Sequence, residues 1–191
     1  MAGFTFPYTD AAGFKYTVGS ATDTLNAARC FAKYRREYEL VLPKSKNSTP
    51  TNFPLLRYSD VLLMIAEADN EINAAPTDLA YECLDAVRSR AKLTTYTGSN
   101  LTKEQFREVI KKERAMELCY EATRRFDLIR WGDYVKAMND VSESMTTSAY
   151  WPTGVRYAAN YFKVSSAYLY LPIPASELAV NKLILSNNPG W

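Results

Sequence analysis

The sequence predicts a mainly α-helical fold with long irregular loops. Apolar residues recur at steps of three and four over residues 58–72 and again over 78–91, which is the spacing of one helix face. The sequence TKEQ forms a capping box that begins a third helix at Thr102. Between such elements lie stretches rich in Pro, Ser, Thr and Asn, of which PKSKNSTPTNFP at 43–54 is the clearest loop.

The composition excludes several functional classes. The chain has 191 residues and 47% apolar residues, which suits one globular domain. A net charge of +2 offers no basic field for nucleic acid. The absence of histidine excludes a Ser-His-Asp triad, a Cys-His pair and a His-ligated metal. The three cysteines are too scattered for a disulfide framework or a CxxC site, and we expect Cys83 and Cys119 to be buried.

The first helix is expected from Tyr58 to Ile72. It follows residues 1–28, which read as loop or short strand, and residues 29–40, which read as a strand or a short helix. Its periodic face is formed by Val61, Ile65, Ala68 and Ile72, and further apolar neighbours widen it. So broad an apolar stripe predicts a largely buried helix.

A second helix begins near Thr77 or Asp78, both of which are good N-caps. Its expected inner face consists of Ala80, Cys83, Leu84, Val87 and Ala91. The two helices form a unit about as long as one tetratricopeptide repeat. Since one such repeat buries too little core to stand alone, we expect it to pack against the later helices or against further chain.

The second half is expected to be less regular. After the third helix, a fourth should run from Arg125 to about Met138, and residues 139–167 read as a long loop or a hairpin. YLYLPIPASEL reads as a short strand ended by Pro172 and Pro174. Ser176 then caps a small turn or helix, and NNPGW closes the chain as a turn.

The densest charge pattern is ERAMELCYEATRRFDLIRWG at 113–132, in which Glu113, Glu117 and Glu121 are spaced by four. Carboxylates so spaced lie on one helix face, about 6 Å apart. A catalytic general acid needs a raised pKa, whereas neighbouring arginines lower it. The pattern therefore favours a structural brace, and a solvated helix face is the remaining alternative. The expected partners are Arg57, Arg114 and Arg124, and we expect Trp131 to pack in the core.

Four blocks in order resemble the C-terminal half of the SusD/RagB family, from about Phe53 to Trp191. They are LLRYSDVLLMIAEADNEI, LDAVRSRAKL, ERAMELCYEATRRFDLIRWG and LYLPIPASELAVNKLILSNNPGW. Two departures stand out. Ala122-Thr123 occurs where the family commonly has Gly and a variable residue, and Asn181-Lys182 replaces the usual Asn-Pro.

The resemblance implies a SusD-like α-helical fold with tetratricopeptide-like helix pairs and irregular ligand-binding loops. Residues 53–191 would form the C-terminal domain of that family, and residues 1–52 a loop-rich segment of the same domain. Family members are lipoproteins on the extracellular face of the outer membrane of Bacteroidetes. They bind glycans or peptides without catalysis, as lids on SusC-like TonB-dependent transporters. We expect this chain to be a soluble fragment that lacks the signal peptide and the lipid anchor.

Ligand binding is expected at aromatic side chains in loops, because they stack on the CH faces of sugars. The resemblance transfers no ligand residue, since the family's contacts lie in variable loops. Of the loop aromatics, Trp151 in YWPTG is the first candidate, followed by Tyr150, Tyr16, Phe14 and Tyr157. The structural alternative is that these rings cover the helical core.

Two other functions stay open from the sequence. A helical-repeat module that binds peptide or protein is the main alternative, and a charged groove along the first two helices would favour it. A glycoside hydrolase is the third hypothesis. No phosphate-binding loop, cofactor motif or metal motif is present, although an Asp/Asn loop site for Ca²⁺ stays open.

Overall fold

The computed structural model describes residues 7–9, 15–17, 33–34, 39–43, 48–147 and 153–191. The chain divides into two compact units. One comprises residues 32–127, and the other contains residues 128–191 together with the short strands β1 (Pro7–Thr9) and β2 (Lys15–Thr17). The strands are antiparallel, with Tyr8 opposite Tyr16.

Three helices build the first unit: α1 (Tyr58–Ile72), α2 (Asp78–Arg90) and α3 (Lys103–Glu117). Helix α1 packs against both α2 and α3. Their common core is formed by Leu63, Ala66, Ala80, Tyr81, Cys83, Leu84, Val87, Phe106 and Ile110. The Tyr81 and Phe106 rings meet edge to face at 5.2 Å, a geometry that aromatic pairs prefer.

The predicted inner face of α1 is wrong. The buried residues are Asp60, Leu63, Ala66 and Asn70, whereas Ile65 is 38% and Ile72 82% exposed. The helix is therefore not largely buried. The polar members of the buried face are hydrogen-bonded, since Asn70 Nδ2 donates to the Lys103 carbonyl at 3.1 Å and Asp60 accepts from Arg114.

Helix α2 follows its prediction closely. It is preceded by Thr77, and Ala80, Cys83, Leu84 and Val87 are buried. Two exceptions are found at its ends. Ala91 is exposed, and the Thr77 hydroxyl donates to Asp69 Oδ1 at 3.0 Å instead of capping α2.

Asp85, a buried residue of α2, fastens the loop that follows it. Its carboxylate accepts from the backbone N–H groups of Tyr96 and Thr97 at 2.7 and 2.8 Å and from the Thr97 hydroxyl at 2.6 Å. These bonds satisfy a buried charge and set the path of the chain toward α3.

The capping box at α3 is confirmed. The Gln105 N–H donates to Thr102 Oγ1 at 3.3 Å, and the Thr102 N–H donates to Gln105 Oε1 at 2.9 Å. Phe106 and Ile110 are buried, whereas Met116 and Tyr120 are about half exposed. Cys83 is buried, but the prediction for Cys119 is wrong: α3 ends at Glu117, and Cys119 is exposed in the turn beyond it.

That turn contains Ala122, at the position where the family pattern has glycine. Ala122 has φ +61°, a left-handed conformation that glycine adopts without strain and that crowds an alanine Cβ. The position therefore suits the glycine that the family commonly carries there.

We expect Ala122→Gly to stabilise the protein by about 1 kcal/mol. The melting temperature should rise by about 2–4 °C in differential scanning calorimetry. Ala115→Gly inside α3 is the matched control and should lower stability by about 0.5–1 kcal/mol. An Ala122→Gly variant no more stable than the wild type would contradict the argument.

The predicted fourth helix is two helices, α4 (Arg124–Arg130) and α5 (Tyr134–Thr147). The break follows from Gly132, whose φ is +76°. The Gly132 N–H donates to the Ile129 carbonyl at 3.0 Å and the Asp133 N–H to the Leu128 carbonyl at 2.8 Å, which is the Schellman motif. Trp131 is half-buried instead of lying in the core, and the Arg130 guanidinium lies 4.6 Å from its ring centre.

The second unit is more regular than predicted. Helix α5 extends to Thr147, and 3₁₀ helices occupy Thr153–Phe162 and Ser166–Leu169, so a long loop or hairpin over 139–167 is wrong. Residues 170–174 have no regular secondary structure, so the short strand predicted in YLYLPIPASEL is wrong. The short helix α6 (Ala175–Val180) begins after Pro174, without a side-chain cap from Ser176.

The prediction of a mainly α fold is confirmed. The chain ends in a turn at Gly190, as NNPGW indicates. Within the described ranges, no helix has the length and apolar character that crossing a bilayer requires.

Candidate functional site

The charged block lies at the centre of an ion-pair cluster made by Lys33, Arg57, Arg88, Arg90, Glu113, Glu117 and Glu121. Arg57, which precedes α1, holds Glu121 with a two-pronged fork: its Nε and Nη2 donate to the two carboxylate oxygens, both at 2.8 Å. Its Nη1 donates to Glu117 Oε1 at 3.0 Å. One guanidinium thus ties the start of α1 to the end of α3.

Other cations complete the cluster. Arg90, in the last turn of α2, donates to Glu117 Oε2 at 2.5 Å, and Arg88 donates to Glu113 Oε2 at 2.5 Å. Lys33 Nζ bonds Glu121 and also donates to the Glu117 and Cys119 carbonyls, both at 2.8 Å. Its charge thereby satisfies carbonyl groups left open where α3 ends.

A separate buried triad consists of Asp60, Arg114 and Asp127. Arg114 is 5% exposed, and it donates through Nη1 to Asp60 Oδ1 at 2.8 Å and through Nε to Asp127 Oδ2 at 2.9 Å. One guanidinium thus joins the first turn of α1, the middle of α3 and α4.

Of the three arginines expected to pair with the glutamates, Arg57 is one of the four cations that do so in the described cluster. Arg57 pairs with them as expected, whereas Arg114 binds the triad aspartates and Arg124 donates to the Lys111 carbonyl at 3.3 Å. Sequence reasoning missed Arg88, Arg90 and Lys33, because spacing within one helix says nothing about a neighbouring helix. The basic end of α2, VRSR, was the available signal.

The electrostatics oppose acid catalysis at Glu121. Burial would raise the pKa of its carboxyl, but hydrogen bonds from Arg57 and Lys33 outweigh burial and lower it. The Arg57 pKa is raised in turn, first by its hydrogen bond to Glu121. Glu121 is thus held ionised, as a structural ion pair requires.

This lowered pKa predicts a pH-dependent stability. The ionised Glu121 carboxylate contributes its full stabilisation above the unfolded-state pKa of about 4.3. This stabilisation is lost as the pH falls through the lower pKa that Glu121 has in the folded protein. Glu121→Gln should therefore be clearly less stable than the wild type at pH 7, and the gap should be smaller at a pH of about 3.5, where the loss has begun. Urea denaturation at both pH values measures it, with exposed Glu108→Gln as control. A gap that is equal at both pH values would sink this assignment.

The predicted ligand residues are only partly placed. Tyr157 lies on the 3₁₀ helix Thr153–Phe162 and is 73% exposed. Tyr16 lies in β2, and its side chain is outside those described. Phe14, Tyr150 and Trp151 lie outside the described residues. Tyr161, which is not among the predicted ligand residues, is 80% exposed on the same 3₁₀ helix.

A groove of about 580 Å³ lies beside α5. It is lined by Asn139, Ser142, Glu143, Thr146, Lys163, Val164, Ser165 and Tyr168. Sequence analysis missed it, because the groove depends on the 3₁₀ segments packing along α5. Among the described residues, no group of three or more His, Cys, Asp or Glu side chains is placed to hold a metal ion.

Known proteins resemble this chain in sequence over much of its length. A family model described as the SusD family matches residues 16–191, which begins upstream of Phe53. SusD-like protein P2 of Formosa agariphila is 33% identical over 166 residues, covering 84% of this chain and 30% of that protein. SusD-like protein P25 of the same organism is 34% identical over 136 residues, covering 70% and 23%.

Solved structures agree with that match. A SusD homolog from Bacteroides thetaiotaomicron VPI-5482 is 33% identical, with a TM-score of 0.61 over 71% of this chain and 26% of that one. A SusD superfamily protein from Bacteroides vulgatus ATCC 8482 is 32% identical, with a TM-score of 0.53 over 75% and 29%. The chain spans a third or less of the length of these relatives. By its sequence and by its helical fold, this chain belongs to the SusD family.

Proposed function

We propose that the chain is part of a non-catalytic, cell-surface glycan-binding protein of a SusC/SusD-like TonB-dependent nutrient uptake complex. Membership of the SusD family carries this proposal. The full protein would be held on the extracellular face of the outer membrane by a lipid anchor, with a SusC-like transporter as its partner and an oligosaccharide as its nutrient.

The exposed aromatics support glycan binding. Tyr157 and Tyr161 are 73% and 80% exposed, although large aromatic rings usually gain more from burial. They stand four residues apart on one 3₁₀ segment, close in sequence to Tyr150 and Trp151. Flat rings of this kind stack on the CH faces of sugars.

The ion-pair cluster supports binding over hydrolysis. Hydrolysis of a glycoside needs one carboxyl group that stays protonated as general acid. Glu121 has the opposite character, with a lowered pKa, and Glu113 and Glu117 are bonded to arginines. These acids therefore suit a scaffold.

The peptide-binding alternative has less support. A groove of about 320 Å³ between α1 and α2 is lined by Arg57, Tyr58, Ser59, Leu62, Ala86, Val87 and Arg90. Its two cations are already bonded to Glu117 and Glu121. A peptide carboxylate would have to compete with those bonds.

Titration calorimetry of the chain against plant, host and microbial oligosaccharides tests the proposal. Trp151→Ala and Tyr157→Ala should each weaken binding at least several-fold, since a stacked aromatic contributes strongly to a sugar site. We call the loop aromatics that include Trp151 and Tyr157 the platform. Phe126→Ala is the matched control, because Phe126 is 69% exposed on α4 but does not belong to this platform.

The proposal is supported if the wild type and Phe126→Ala release heat on binding a sugar and both platform variants do not. Sugar binding unchanged in both would place the site elsewhere. Heat with peptides and with no sugar would favour the helical-repeat alternative. Release of a shortened product from any oligosaccharide would refute a non-catalytic role.

A further inference from the structure

We propose that the groove beside α5 is a subsite for one neutral hexose unit of the glycan. This inference rests on the proposed function and adds a second place of contact, distinct from the Tyr157 platform. The groove is formed within residues 139–168, and every lining side chain is described. Its volume, about 580 Å³, lies within the range of small-molecule sites.

Tyr168 gives the groove a rigid aromatic wall. It is 45% exposed, and its ring meets the Trp191 ring edge to face at 5.8 Å. The indole Nε1–H of Trp191 donates to the Ala167 and Tyr170 carbonyls, both at 3.2 Å. These two bonds hold the Trp191 indole in place against the Tyr168 ring. A Tyr168 ring supported in this way loses less conformational entropy when a sugar stacks on it.

Gly190 makes that arrangement possible. Its φ is +93°, and a Cβ at this position would lie 2.3 Å from Ala167 Cβ. Only glycine allows the last turn to approach the 3₁₀ helix Ser166–Leu169 so closely. The aromatic wall is therefore built into the backbone of the chain terminus.

The polar lining matches hydroxyl groups, which both donate and accept. Glu143 and Lys163 are exposed side chains in the lining of the groove. Asn139 uses its Nδ2 on the Val135 and Val164 carbonyls, both at 2.8 Å, which leaves its Oδ1 as an acceptor. The groove thus offers acceptors from Asn139 and Glu143 and a donor from Lys163.

The balance of charge points to a neutral sugar. One carboxylate and one ammonium line the groove, so their charges cancel. A uronic acid would gain from Lys163 but would be repelled by Glu143. A neutral hexose meets both groups through hydroxyls and, unlike a uronic acid, has no charge to desolvate.

The test uses the ¹⁵N-labelled chain titrated with methyl glycosides of glucose, galactose and mannose, and with glucuronic acid. The Trp191 indole N–H signal, assigned with Trp191→Phe, reports on the wall. At least one neutral glycoside should shift it, and Lys163→Ala and Glu143→Gln should each weaken that titration about tenfold. Lys182→Ala, a lysine outside the groove, should leave it unchanged.

Two outcomes would overturn this subsite and leave the proposed function standing. One is oligosaccharide binding in calorimetry while no glycoside moves the Trp191 signal and both groove variants bind normally. The other is a response to glucuronic acid alone, strengthened by Glu143→Gln. No sugar binding in either experiment would reject both proposals. Unchanged circular dichroism shows that the groove variants are folded.

Discussion

Replacing Arg114 with Met is expected to destabilise the protein by about 3–5 kcal/mol. The guanidinium is 5% exposed and bonds two buried aspartates, Asp60 and Asp127. Methionine fills much of the same space but donates no hydrogen bond. Two buried carboxylates would then lose the guanidinium that they share, and its hydrogen bonds would no longer offset their desolvation.

Urea denaturation of wild type and variant measures this loss. Arg107→Met is the matched control, because Arg107 bonds Glu71 at 2.7 Å but both side chains are more than 30% exposed. Solvent screens that pair, so the control should lose less than about 1 kcal/mol.

A triple variant separates stranded charge from lost packing. Arg114→Met combined with Asp60→Asn and Asp127→Asn removes all three charges, and it should recover much of the stability. If Arg114→Met is as mild as Arg107→Met, the triad contributes little. If the triple variant is as unstable as the single one, packing and not charge explains the loss.

The features predicted best from sequence are those decided locally. The capping box at Thr102 depends on four adjacent residues, and the inner face of α2 is the one apolar stripe of that helix. Gly132 broke the predicted fourth helix through a positive φ, a signal that the sequence already contained. Local chemistry was sufficient in all three places, although the break at Gly132 was not predicted.

The face of α1 could not be predicted in this way. Its most apolar stripe includes Ile65 and Ile72, yet the helix buries Asp60 and Asn70. These polar residues are inside because Arg114 and the Lys103 carbonyl, both distant in sequence, supply their partners. Periodicity ranks faces by hydrophobicity and cannot anticipate a buried ion pair from another helix.

The candidate site shows the same limit. Sequence composition pointed to loop aromatics, of which Tyr157 is exposed as required. The groove beside α5 was missed because its lining comes from two segments that the sequence places in one long loop. A 3₁₀ helix leaves a weak pattern, since its turns are short and its period differs from that of an α-helix.

Replacing Glu117 with Ala is expected to destabilise the protein by about 3 kcal/mol, which corresponds to a fall in melting temperature of about 6–12 °C. The Glu117 side chain is 10% exposed and accepts from Arg57 at 3.0 Å and from Arg90 at 2.5 Å. Its loss removes the only carboxylate in the described cluster that bonds both the residue before α1 and the last turn of α2.

A double-mutant cycle identifies which bond matters. Arg90 is 62% exposed and Arg57 29%, so solvent weakens the Arg90 bond more. The coupling of Glu117→Ala with Arg57→Ala should therefore exceed its coupling with Arg90→Ala. Equal couplings would mean that exposure does not control these pairs. A melting temperature of Glu117→Ala within error of the wild type would show that the Glu117 ion pairs contribute little to stability, and the brace would then reduce to Arg57 and Glu121.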